Sequence, residues 1–309
     1  MKYCSFFRER RKSFGCELKS GILIDLVETG RFLLESGDLP SSISGIFRAR
    51  DLKDWLWLGQ EAFEVAHQIR TLVDGSADPS DVPGVFRRNR VRFIAPVERP
   101  GKILAVGLNY RDHAEEQGVK LPENPIIFAK FPTAIIGPDE PIKIPAIARK
   151  VDPEAEMAVV ITRNCKQVSR RQARGAAAFM TANDVSARDL QYADRQWVRG
   201  KSCDTFAPCG PFVVTADGVG DPHQLKIECR RNDSVQQSSN TNKMIFDSYR
   251  LIEFITQSIT LEPGDIILTG TPSGVGAFRD PPVFLKSGDV VEVEIEKLGT
   301  LRNPVVAEL

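Results

Sequence analysis

Apolar and polar positions alternate at two different periods along this chain, and the change of period divides it. Lys2–Phe7, Ser13–Leu18 and Gly21–Leu26 are short apolar runs with Gly15 and Gly21 near their turns, which predicts three strands. Asp51 to about Val73 follows a helical period: Leu52, Leu56, Phe63, Ala66, Ile69 and Val73 fall on one face. The stretch Asp74-Gly75-Ser76-Ala77-Asp78-Pro79-Ser80-Asp81 then loses all apolar period and reads as a linker. The expected organisation is a small N-terminal α+β domain with its linker over 1–95 and a catalytic domain over 96–309.

Beyond Pro100 strand-like runs dominate: Ile103–Val106, Ile126–Ala129, Ala155–Ile161, Pro211–Val214, Leu225–Arg230, Asp265–Leu268 and Val290–Ile295. Helical patterns are fewer, at Ser169–Phe179 and Asp247–Thr256. Glu292, Glu294 and Glu296 alternate with Val291, Val293 and Ile295, the mark of a strand with one wet face. Strands and helices do not alternate regularly, which argues against a doubly wound parallel sheet. The fold class expected is α+β, with a mixed β-sheet folded on itself into a barrel-like roll.

Composition narrows the function classes. The 41 basic residues balance the 41 acidic ones among 309, so no global charge steers the protein to nucleic acid or to an anionic membrane. Six cysteines without a C-x-x-C pair argue against a zinc site or a disulfide framework and suit a reducing compartment. No apolar run is long enough to span a bilayer. The expected location is cytoplasmic. The alternative is mitochondrial, with Ser5, Arg8, Arg10 and Arg11 read as part of a presequence rather than as a first strand and its turn.

Candidate chemistry sits in five segments. Pro153 opens an apolar strand in which Glu154 and Glu156 point to one face. Two like charges there demand a positive partner, and carboxylate oxygens are preferred ligands of Mg²⁺, Mn²⁺ and Ca²⁺. The same pattern also fits an exposed strand end with solvated glutamates. Asp184 ends the next apolar run, either as a third ligand or as a helix N-cap. Lys201 lies between Gly200 and Ser202 and, with Arg188, could meet a substrate carboxylate or simply solvent. Leu268–Gly276 carries glycines that let backbone N–H groups approach an anion, but it lacks a phosphate-loop pattern. His113 and Glu116 are three residues apart, one helix face if helical, where the carboxylate would orient the imidazole as a general base.

Together Gly107-Leu108-Asn109-Tyr110…Asp112-His113, Glu154-Ala155-Glu156, Asp184–Asp189, Gly200-Lys201-Ser202…Asp204-Thr205-Phe206 and Leu268–Gly276 resemble, in order, the fumarylacetoacetate hydrolase family. The likeness runs from about Ala95 to the C-terminus. The tail Phe278–Asp289 resembles the subgroup called fumarylacetoacetate hydrolase domain-containing protein 2. The resemblance implies Mg²⁺ or Mn²⁺ on Glu154, Glu156 and Asp184, a substrate-contacting Lys201, and Arg188 and Gln191 near the substrate carboxylate. It further implies Thr271 in the closing loop, His113 and Glu116 on a mobile lid that activates water, and a homodimer. Cys203 stands where phenylalanine is usual and Ser239 where glycine is usual.

The substrate expected is a small 2-oxo acid, chelated through two oxygens, with no nucleic acid or membrane partner. Hydrolytic C–C cleavage of an acylpyruvate or fumarylpyruvate-like acid is put first. Keto–enol tautomerisation of oxaloacetate, or a related isomerisation or decarboxylation, is the alternative, and a non-catalytic binding protein of the same fold is the third reading.

Overall fold

The computed structural model describes residues 1–19 and 21–308. Its main feature is an eleven-stranded mixed sheet. In spatial order its strands are Val85–Arg87, Ile22–Asp25, Arg11–Lys19, Lys2–Arg8, Val213–Thr215, Ala177–Asn183, Ala155–Ile161, Ile266–Leu268, Ile103–Gly107 and Ile126–Lys130, with Arg92–Ile94 joining beside Lys2–Arg8. Among the described residues, Ile266–Leu268 and Ile103–Gly107 are the one parallel pair within it. A five-stranded sheet containing Lys226–Arg231, Val290–Ile295 and Gly299–Ala307 packs across one face.

Burial on both faces explains the apolar continuity of the two central strands. Met157, Val159 and Phe179 meet Ile227, Val293 and Ile295 of the smaller sheet in one core. Ala158, Val160 and Met180 meet Trp55, Phe14 and Phe47 of the N-terminal region in the other. A strand covered on both sides has no polar alternation to show.

All three N-terminal strands appear where the pattern put them, and they extend the same sheet through Lys2↔Val214 and Tyr3↔Val213. The single helix expected over Asp51–Val73 is two helices, Leu52–Trp57 and Gln60–Asp74. Gly59 separates them at φ +69°, a conformation an L side chain resists. The helix expected at Ser169–Phe179 ends at Arg174. Ala177–Asn183 is instead a central strand, paired residue by residue with Ala155–Ile161. Alanine's helical preference is small, and two-sided burial plus a full ladder outweighs it. The helix Leu26–Glu35, N-capped by Asp25, had no predicted counterpart.

Candidate active site

The site lies where the central strands end. Glu156 points from Ala155–Ile161, Glu154 precedes that strand, and Asp184 follows Ala177–Asn183 immediately. Antiparallel pairing sets Ala155 against Asn183, and Glu154 N donates to Asn183 Oδ1, 29 residues away in sequence. One carboxylate oxygen from each of Glu154, Glu156 and Asp184 lies within 4.8 Å of the others, and all three residues are buried. Asp184 caps no helix; its oxygens face Lys130 Nζ at 2.5 Å and Lys201 Nζ at 2.8 Å.

Three buried cations surround the acids. Lys201, the last residue of the short helix Val198–Lys201, also donates to Glu154 Oε2 at 2.6 Å. Arg188 places Nη2 2.6 Å from Glu154 Oε1, and donates to Asp152 Oδ2 from Nε and Nη2 at 3.0 and 2.9 Å. Gln191 Oε1 accepts from Arg188 Nη1 at 3.2 Å. Burial pushes the Glu154 carboxyl up, but Lys201 and Arg188 outweigh it and hold it at about 2. Burial, then Asp184 and Glu154, push Glu156 well above the ordinary glutamate range. Its charge is met by one backbone donor, Gly270 N–H to Oε2 at 2.7 Å. Gly270 must be glycine: it sits at φ +96°, and a Cβ there would lie 2.7 Å from Asn109 Cβ.

Asp152, Glu154, Glu156 and Asp184 thus face Lys130, Arg188 and Lys201, four potential negative charges against three positive. Among the described residues, Glu156 is left without a cation in hydrogen-bond contact and is pushed well above the ordinary range, while burial also pushes the Asp152 carboxyl up despite Arg188. A divalent cation beside Glu154, Glu156 and Asp184 would supply the missing charge, and an all-oxygen donor set suits Mg²⁺, Mn²⁺ or Ca²⁺.

His113 and Glu116 lie on the helix Arg111–Gln117, with His113 Nδ1 2.9 Å from Glu116 Oε2. The helix is tied to its surroundings on several sides. Glu116 Oε1 accepts from Gly274 N at 2.8 Å, Arg111 donates to Met244 O, and Asp112 accepts from Ser239 Oγ at 2.6 Å. Ser239 lies on the strand Ser234–Asn240. Asn109 ties the start of this segment to Phe246 and to Thr269 O. Thr271 lines the cavity, but its hydroxyl is taken: it donates to Ala155 O and accepts from Gln237 Nε2.

The cavity above the acids has a volume of about 240 Å³, and Leu108, Ile126, Phe128, Trp197 and Phe278 give it apolar walls. His113, Arg188, Gln191 and Lys201 also line it. Sequence reading missed Lys130, Asp152 and Gln117. Lys130 ends an apolar strand, where a lysine is out of character. Asp152 accepts from Gly276 N and Ala277 N as well as from Arg188, joining the closing loop to the acids. Gln117 follows His113 by one helical turn.

A family model described as fumarylacetoacetate hydrolase C-terminal matches residues 102–306. A mitochondrial oxaloacetate tautomerase of Rattus norvegicus is 53 % identical over 221 residues, 71 % of this chain and 71 % of its own. A solved fumarylacetoacetate hydrolase from Exiguobacterium antarcticum superposes with a TM-score of 0.81 at 32 % identity, covering 100 % of each chain. A solved 5-carboxymethyl-2-hydroxymuconate delta-isomerase from Mycobacterium smegmatis gives a TM-score of 0.66 at 44 % identity, over 73 % of this chain and 86 % of that one.

Proposed function

This chain belongs to the fumarylacetoacetate hydrolase family, and on that premise we propose that it is a divalent-metal-dependent tautomerase interconverting the enol and ketone of oxaloacetate. The observation that carries the reading is the buried acid cluster with one carboxylate too many for its cations. The rat relative's activity then favours proton transfer over the hydrolysis that sequence reading put first. A muconate isomerase among the structural neighbours points the same way.

Mg²⁺ or Mn²⁺ on Glu154, Glu156 and Asp184 would supply Lewis-acid stabilisation of negative charge on the oxygens of a bound 2-oxo acid. The protein's own residues do the rest. Lys201 and Arg188 hold Glu154 ionised, and Lys130 and Lys201 fix the direction of Asp184. The apolar walls exclude water and raise the strength of each charge interaction inside. Glu116, a pure acceptor, fixes the proton of His113 on Nδ1 and so leaves on Nε2 the lone pair that acts as the base. Nε2 takes a proton from the carbon beside the ketone; the C–H electron pair becomes the C=C bond, and the imidazolium returns the proton to the former carbonyl oxygen. Glu116 stabilises that imidazolium.

The test follows decay of the enol's ultraviolet absorbance with and without chelator. Wild type should outpace buffer containing the same metal, and His113→Ala should lose about 10²–10⁴-fold with calorimetric metal affinity intact. A wild-type rate equal to the metal-only control sinks the reading; cleavage of acylpyruvates in its place restores the hydrolase. Mitochondrial residence and a homodimer accompany the proposal, checked by fractionation and by light scattering.

A further inference from the structure

Both ring nitrogens of His113 are engaged, and the second partner belongs to no part of the chemistry above. Gln117 Nε2 lies 2.7 Å from His113 Nε2. The hydrogen positions follow from the network. Glu116 only accepts, so Nδ1 carries the proton and Nε2 presents a lone pair; the Gln117 amide must then donate to it. That amide stands within the distance, about 2.6–3.2 Å, at which a general base holds the water it deprotonates.

The placement is built into the local sequence. Gln117 is the last residue of its helix, one turn after His113, and Gly118 follows at φ +64°, turning the chain away. His113 is held by Glu116, by the edge of Phe278 at 5.8 Å between centroids, and through Glu116 by Gly274. Gln117 and His113 both line the cavity. A tethered donor on the base competes against a water that would have to be ordered there from solvent.

We infer that Gln117 is a specificity-determining residue that withholds His113 from water and so confines the site to proton transfer; the inference rests on the tautomerase reading. The two outcomes differ in what gives up a proton to Nε2. In tautomerisation the substrate's own C–H delivers it, the bound substrate displaces the amide, and the proton returns to the enol oxygen. In cleavage a water O–H delivers it, the hydroxide oxygen bonds to the distal carbonyl carbon, and the C–C electron pair leaves as the enolate, which is then protonated. Only the second path needs a water where Gln117 sits.

The experiment compares the full-length metal-loaded protein with Gln117→Met, which keeps the side chain's length without a donor, and Gln117→Asn, whose shorter amide opens room for a water. Enol decay of oxaloacetate and cleavage of acetylpyruvate and fumarylpyruvate are measured side by side. Acylpyruvate cleavage should rise by about 10-fold or more in at least one variant, a fraction of the general-base factor. The gain should vanish when His113→Ala is added, a dependence that mere loosening of the helix would not produce. Cleavage unchanged from wild type in both variants, each with a wild-type melting profile, overturns the inference, as does a gain that survives His113→Ala. The wild-type rate on the enol reports separately on the tautomerase reading, whatever the variants do.

Discussion

Replacing Glu156 by glutamine should make the metal-free protein more stable, the reverse of most changes at a buried hydrogen-bonded residue. Glu156 lies within 4.8 Å of carboxylate oxygens from both Glu154 and Asp184. At that separation each like-charge pair costs about 3.5 kcal/mol at an effective dielectric of about 20. Attraction to Lys201 offsets part of this, and a neutral amide weakens the Gly270 hydrogen bond by about 1 kcal/mol. The net gain expected is about 2–4 kcal/mol, or a rise in melting temperature of about 3–6 °C for a chain of this length. Linkage gives the same sign. The folded carboxyl keeps its proton well above its ordinary 4.5, whereas the unfolded chain releases it there. The folded state therefore binds more protons above that pH, and wild-type stability falls as pH rises from 4.5 toward the raised folded value. Calorimetric melts in chelator across that range should show this slope in wild type and lose it in Glu156→Gln. Added Mg²⁺ or Mn²⁺ should stabilise wild type and leave the variant unmoved. A variant that melts below wild type in chelator, or that still responds to metal, refutes the reasoning.

Lys201→Met keeps the side chain's bulk but strands Glu154 and Asp184, so the metal-free protein should lose about 3–5 kcal/mol, read by melting in chelator. A loss much below that would mean the lysine serves substrate alone, as the sequence had suggested. Asp152→Asn weakens the hold on Arg188 and on the Gly276 and Ala277 amides at once; a cost of about 2–4 kcal/mol and a raised KM for oxaloacetate are expected from melting and steady-state kinetics.

Local pattern placed ten of the twenty strands among the described residues, because alternation and apolar runs depend on neighbouring residues alone. It put Glu154 and Glu156 on one face for the same reason, and it put His113 and Glu116 in reach of each other once the segment was read as a helix. It failed where distant partners decide. Ala177–Asn183 carries a helix-prone alanine run and becomes a strand because Ala155–Ile161 lies alongside and both faces are covered. Asp184 is equally good as an N-cap or as a ligand until folding sets it against residues 17 and 54 positions away. Lys130 drew no reading and Lys201 was read as meeting a substrate carboxylate or solvent, yet both are buried against the acids. Only tertiary structure could put three cations around four acids, because that balance is struck in space among residues from seven separate elements and turns, and no local pattern contains it.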